Sequence, residues 1–377
     1  MERGAASPAG PDHAQFLSTR TFGSLDGLRA ISIVAVLWHH TARGPSALAI
    51  SGRGFLGVDL FFVISGFLIV TLLLREERRS GKISLRSFYA RRFLRIFPPY
   101  YLMLLVVTVA VYLKRGSTLE PVVHDLPYAL LYVSNMVHMR SFLDITWSLA
   151  TEEQFYLAVP ALLRRGRRAA PLVLSIACLL AYLPTFGLFP ELALPGFFRQ
   201  TTFGPILVGV LLAFVMNDAR GFGWLARLLW HRLSPVAALG LVVLAASHPA
   251  EDLSGLPRIG IHVAMAVLVA ACVVREQHAL VPVLSAWPMR RIGTVSYGIY
   301  LYHMLTWYFV DVATRRAGLE SQLVFFVANT LASWLVAELS FRWFESPVLA
   351  LKSRFASGAA TPHATAARPQ AGLSPAD

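Results

Sequence analysis

The sequence predicts an all-α polytopic membrane protein of about ten transmembrane helices, with both termini cytoplasmic. Three observations predict it. Of 377 residues, 56% are hydrophobic and only 15% charged, where a soluble domain has roughly 25% charged. Mean hydropathy is +0.57, which implies more apolar surface than a water-soluble fold of this size can cover. The apolar residues also gather into runs close to the roughly 20 residues a helix needs to cross hydrocarbon. Such a composition excludes an ordinary soluble globule and a disordered chain. The net charge of +13 then reports topology rather than nucleic-acid binding, because the basic residues fall between the apolar runs.

Ten runs are expected as spans, at about 25–42, 54–74, 96–113, 146–163, 169–189, 200–216, 233–248, 259–274, 292–310 and 321–341. Segment 125–145 is apolar but interrupted by Asn135, His138 and Arg140, and reads as an interfacial or re-entrant helix on the outer side. With the N-terminus inside, the inner loops carry 18 Lys and Arg and the outer loops 9. The positive-inside rule therefore orients the chain. The organisation expected is a cytoplasmic N-terminal segment (1–21), a membrane domain (22–352) and a disordered, Ala/Pro/Ser/Gly-rich cytoplasmic tail (353–377). Residues 1–21 hold no long apolar stretch, so no cleaved leader is expected. Cys178 and Cys272, each inside an apolar run, read as buried thiols.

Ionisable groups inside a span cost a few kcal/mol at the bilayer centre, so each needs a reason. In the first span Arg29 and His40 are eleven residues apart, which is close to three whole helical turns and about 16 Å along the axis. They share a face that His39 does not. The bland alternative is that Arg29 snorkels to lipid phosphates and His40 anchors at the interface. Asp59 lies in the second span at a depth similar to His40, where it can accept the imidazole N–H. Gly66 follows on the same face and suits close helix contact, with Ser65 beside it. The fourth span opens TWSLATEEQFYL. There Ser148, Glu152 and Tyr156 share a stripe, with Trp147 and Glu153 adjacent. In the ninth span Ser296, Tyr300 and His303 share another. Arg91, Arg92 and Arg95 crowd one turn at the inner surface, where Arg91 and Arg95 share a face that can grip phosphates. Pro98 and Pro99 follow and are expected to break the start of the third span.

Taken together, LDGLRAISIVAVLWHH, GVDLFFVISGFLI, YARRFLRIFPPYY, TWSLATEEQFYL, SYGIYLYHM and FRWFESP resemble the acyltransferase 3 family of integral membrane acyltransferases. The six strings occur in the family's order over residues 25–347. The family's Arg-to-His spacing of ten intervening residues matches Arg29 and His40. One departure is that Met304, Leu305 and Thr306 follow His303 where the family often has proline. The resemblance implies transfer of an acetyl or other short acyl group from cytoplasmic acyl-coenzyme A to a hydroxyl. The acceptor it implies is a carbohydrate or glycolipid, as in polysaccharide O-acetylation at the plasma (cell inner) membrane. Larger members carry a further hydrolase-like domain for which this chain has no room, so activity is expected to be complete in the membrane domain.

On this reading His40 is the general base, since an alcohol must lose its proton as it attacks a thioester and imidazole titrates near neutrality. Asp59 sets its tautomer, and Glu152 joins them as a catalytic group. Arg29, Arg91, Arg92 and Arg95 hold the coenzyme, with Arg29 toward the thioester. Trp147, Ser148, Glu153, Tyr300 and His303 contact the acceptor. Ser65 and Ser148 are possible covalent way-stations. No metal site is expected, because the spacing of His39, His40, Asp59 and His303 matches no metal motif. The competing reading is a proton-coupled transporter or flippase of a lipid or glycan, in which the buried His, Asp and Glu form a relay. The cytoplasmic arginine cluster and the lack of an internal repeat argue against it.

Overall fold

A computed structural model describes residues 12–19, 21–42, 49–186, 203–249, 253–319 and 321–351. The expected tail at 353–377 and the first eleven residues lie outside them. Among the described residues the regular structure is helical throughout. Short α1 (His13–Ser18) precedes α2 (Gly23–Thr41), α3 (Leu56–Ser80), α4 (Leu85–Lys114) and α5 (Leu119–Leu130). Then come α6 (Thr146–Arg165), α7 (Ala170–Tyr182), α8 (Gly204–Asn217), α9 (Ala219–Leu229) and α10 (Ser234–Ala246). The chain ends with α11 (Gly255–Val274), α12 (Val281–Leu284), α13 (Trp287–Arg316), α14 (Gln322–Ser340), a π-turn (Phe341–Glu345) and α15 (Ser346–Ala350).

Helices lie in all ten predicted runs. Among the described residues four helices are long and apolar enough, by length and composition, to cross a membrane: α3, α4, α11, and α14 continued to Ala350. Helices α8 and α9, bent by 102°, make a fifth candidate as a pair. The bend falls at Asp218, whose carboxylate caps α9 by accepting from the Gly221 amide at 2.9 Å.

Helix α3 is the hub. Its apolar window is 83% buried inside the protein, against 22% for α14 and its continuation. The outer face of α14 leaves Leu323, Leu331 and Leu335 exposed, as a lipid-facing helix does. Two glycines let α3 and α8 meet backbone to backbone. A Cβ on Gly66 would lie 2.0 Å from the Ile206 carbonyl oxygen, and one on Gly209 would lie 2.1 Å from that of Val63. The close contact expected at Gly66 is therefore made with α8. On the other side of α2, Gly293 of α13 approaches Asp26 in the same way. Helix α2 is thus clasped between α3 and α13.

Two expectations are revised. Pro98 and Pro99 do not break the chain, because α4 runs through them from Leu85 to Lys114. Proline's fixed φ is itself helical, and what it removes is an N–H donor; the helix continues with the carbonyls of Leu94 and Arg95 deprived of theirs. Segment 125–145 is no single helix. It is the end of α5 followed by two 3-10 turns, Ser134–Met136 and Phe142–Ile145. Fully buried Asp125 gathers this cap. Its carboxylate accepts from the Arg140 amide at 2.8 Å and from the amide and hydroxyl of Ser141 at 2.7 Å each. It also meets His124 Nδ1 at 2.9 Å.

Candidate functional site

The arginines of α2 and α4 converge on a chamber between α2, α3, α4, α6 and α13. Two adjoining cavities, of about 90 and 250 Å³, share Arg29, Ser65, Arg92, Arg95 and Tyr156 as walls. The smaller ends against Phe62, Ser148, Glu152 and Tyr300. The larger opens toward Thr21, Phe22 and Asp26, at the bundle end where α2 begins. A third cavity of about 150 Å³ carries Arg92 and Arg95 on to Arg91 and Glu76. A path lined by cations therefore runs from that end into the middle of the bundle.

Each cation is held differently. Arg29 pairs only within its own helix, with Asp26 at 3.3 Å. The Arg92 guanidinium lies over the rings of Phe88 and Tyr156, at 5.7 and 5.1 Å, and Tyr156 donates its hydroxyl to Glu152. Arg95 lines all three cavities and forms no ion pair within 4 Å among the described residues. Arg91 lines the third cavity and pairs with Glu76 at 3.7 Å. Bringing three cations together in a bundle core is costly unless an anion occupies the space.

Beyond the chamber's inner end a line of hydrogen bonds leads to His40. Tyr300 donates to the Ile145 carbonyl at 2.9 Å and meets the Ser148 hydroxyl at 2.7 Å. One turn later His303, fully buried, places Nδ1 2.6 Å from the Tyr300 carbonyl oxygen. Its Nε2 lies 3.0 Å from His40 Nδ1. The Trp307 indole donates to the His40 carbonyl at 2.9 Å, which fixes the end of α2 against α13. His40 does not line either main cavity. His39 turns away, its ring edge-on to Phe55.

The expected contact of Asp59 with His40 is not made; His40 Nδ1 meets His303 instead. Asp59 instead faces α11. There it pairs with Arg258 at 2.8 Å and takes the His262 Nε2 proton at 3.1 Å. The hydroxyl of Tyr182 reaches His262 Nδ1 at 2.6 Å. Asp59 turns this way because a buried carboxylate is stable only beside a cation and donors, and α11 supplies both. Arg258, His262 and Tyr182 were not anticipated. The signal was present, since Arg258 and His262 are one turn apart on the same helical face of an apolar run.

The remaining expected residues divide. Ser65, Ser148, Glu152 and Tyr300 line the chamber beside the arginines, so groups expected at opposite ends of the bundle share one cavity. Trp147 packs edge-on against Phe62. Glu153 lines neither main cavity, and its Oε1 is buried with no hydrogen-bond partner. Among the described residues no group of three or more His, Cys, Asp or Glu is arranged to hold a metal ion.

A cation-lined chamber, with a paired histidine beyond its inner end, suits group transfer from an anionic donor. The family model for the acyltransferase domain matches residues 22–338, and the chain belongs to this family, acyltransferase 3. Among its relatives is the peptidoglycan O-acetyltransferase OatA of Listeria monocytogenes, 30% identical over 86% of this chain and 55% of that protein. A putative peptidoglycan O-acetyltransferase of Bacillus subtilis is 32% identical over 87% of this chain and 55% of its own length. A putative O-acetyltransferase of Staphylococcus aureus is 29% identical over 88% and 58%. The chain thus spans little more than half the length of these relatives. No solved structure matches. The chain carries this family's acyltransferase domain, and the relatives are named for O-acetylation.

Proposed function

We propose that this protein is a multi-pass plasma-membrane enzyme that carries an acetyl or other short acyl group from acyl-coenzyme A to a hydroxyl of a carbohydrate acceptor. The observation that carries the reading is the chamber in which three guanidinium groups, Arg29, Arg92 and Arg95, share the walls with two carboxylates, Asp26 and Glu152. Coenzyme A brings several phosphates, and guanidinium groups grip phosphate with paired N–H donors. With ten spans and both termini cytoplasmic, as the loop charges suggest, the chamber mouth faces the cytoplasm where the donor is. The relatives named for peptidoglycan favour a cell-wall glycan as acceptor. Membership of an acyltransferase family favours this reading over a transporter or flippase.

In this mechanism the pantetheine arm passes Arg29 and presents the thioester near Ser148 and Tyr300. The acceptor reaches His40 from the opposite side of the bundle. His40 takes the hydroxyl proton as the alcohol oxygen attacks the thioester carbonyl, forming a carbon–oxygen bond. Collapse of the tetrahedral adduct breaks the carbon–sulfur bond. The imidazolium returns the proton to the departing thiolate, giving an ester and free coenzyme A. Glu152, held by Tyr156 beside Arg92, tempers the chamber's positive charge.

The test uses purified full-length protein in lipid nanodiscs, given acetyl-coenzyme A labelled in the acetyl group and a soluble peptidoglycan fragment. The expected result is a labelled, base-labile ester on the glycan, with one free thiol released per ester. Thiol release and ester formation absent in wild type, with folded protein present, would overturn the proposal.

A further inference from the structure

We propose that His303 is a positioning residue that fixes the tautomer of His40, so that His40 Nε2 is the proton-accepting atom. This rests on the reading of His40 as the base. The argument starts from the Tyr300 carbonyl. A carbonyl oxygen only accepts. His303 Nδ1, 2.6 Å away, therefore carries a proton and donates it. In a neutral imidazole the other nitrogen is then a bare acceptor. That nitrogen, Nε2, lies 3.0 Å from His40 Nδ1. Two bare nitrogens at that distance would repel, so His40 carries its proton on Nδ1 and donates to His303. The lone pair of His40 is left on Nε2.

Each link is fixed by packing. His303 is fully buried in α13, and Tyr300 is tied by its hydroxyl to Ile145 and Ser148. Trp307 holds the backbone of His40. His39, on the same helix, is turned toward Phe55. The arrangement follows the logic of a serine-hydrolase triad, in which a third group orients the base and supports its charged form. Here a neutral imidazole, polarised by a backbone carbonyl, replaces the carboxylate. When His40 takes a proton on Nε2, its Nδ1–H bond to His303 shortens and strengthens, because the donor is now charged. Losing the orienting group therefore lowers turnover more than binding.

Two measurements test this. In ¹⁵N-histidine protein in bilayers, the His40 signals, identified by their loss in His40→Gln, should report Nδ1–H in the resting state. In His303→Leu a substantial share should move to Nε2–H. In the transfer assay His303→Leu should lose about tenfold to a thousandfold in kcat, with the KM for acyl-coenzyme A changed less than about threefold. His303→Gln, whose side-chain oxygen can take the Nδ1 proton at nearly the same place, should recover most of the kcat. A purely structural role would lower the yield of folded protein, leave the tautomer unmoved and give no preference for Gln over Leu. An Nε2–H tautomer in wild type overturns the proposal whatever the activity, as do equal kcat values for the Leu and Gln variants. Absence of transfer in wild type would instead strike the proposed function and leave the spectroscopic test intact.

Discussion

The molecule buries two polar clusters on opposite sides of α3, and they differ in how their charges are satisfied. On the α11 side, Asp59, Arg258, His262 and Tyr182 form a closed set in which carboxylate, guanidinium, imidazole and phenol meet at 2.6–3.1 Å. On the α2 side, Arg29, Arg92 and Arg95 line a cavity whose walls carry two carboxylates, Asp26 and Glu152. A set whose charges are paired holds helices together, although among the described residues the buried Arg258 Nε has no hydrogen-bond partner. A set short of anions is completed by a ligand. Burial alone does not separate structural from functional charge; the presence of space beside an incompletely paired group does.

Four experiments break or sharpen this contrast, and the largest effect is expected beyond the chamber's inner end. His40→Ala should lower transfer by about 10²–10⁴-fold, while His39→Ala, which removes a ring packed on Phe55, stays far milder. Equal rates for His40→Ala and wild type at matched folded protein would remove the base.

Next comes the closed cluster. Asp59→Asn leaves Arg258 buried without its counter-charge, a loss of about 3–5 kcal/mol. It should appear as a lower unfolding temperature in detergent, and Asp59→Leu combined with Arg258→Met should recover much of it. Turnover per folded molecule should persist. A collapse of kcat with unchanged thermal stability would move Asp59 into the catalytic set.

The chamber arginines follow. Charge-assisted contacts are worth roughly 1.5–3 kcal/mol each. Arg92→Gln with Arg95→Gln should therefore raise the KM for acyl-coenzyme A by about tenfold or more, with little change for the acceptor. Lysine at both sites should rescue only in part, since it keeps charge without the two-pronged grip. Arg91→Gln, whose partner is Glu76, should have less effect than either. Full rescue by lysine would reduce the cluster to a topological signal.

The smallest effect lies outside both clusters. Burial pushes the Asp125 carboxyl up, but the donors from His124, Ser141 and the amides of Arg140 and Ser141 outweigh it and hold it below the ordinary carboxylate range. A depressed folded value gives stability that is complete above the unfolded value near 3.9, and that is lost as pH falls through the folded value. Asp125→Asn should cost about 1–3 kcal/mol at neutral pH, and the gap to wild type should close as pH falls through the depressed folded value. A gap independent of pH would assign the cap to packing alone.

Much of the fold was legible because apolar runs have a length scale, and a helix lies in each of the ten runs. Three of the helices that carry the site fall short of the hydropathy of a span. Helices α2, α6 and α13 hold Arg29 and His40, Glu152 and Glu153, and Tyr300 and His303, and none of the three is among those apolar and long enough to qualify as a span alone. The shared stripe of Arg29 and His40 followed from helical spacing. The partners of those residues did not, because they are tertiary. Asp59 and His40 lie at similar depth, yet depth does not say which way a side chain turns. His262 and Arg258 decide it for Asp59, and His303 for His40. The fate of Pro98 and Pro99 was also illegible, since the packing on both sides of α4 carries the helix through them.

The central claim is that the arginine chamber takes the acyl donor. The most direct measurement is an experimental structure of the full chain in nanodiscs with a non-transferable thioether analogue of acetyl-coenzyme A. The account predicts phosphate density within hydrogen-bond reach of Arg92 and Arg95, and the acyl end beside Ser148 and Tyr300. A coenzyme bound elsewhere, with this chamber still open, would contradict it.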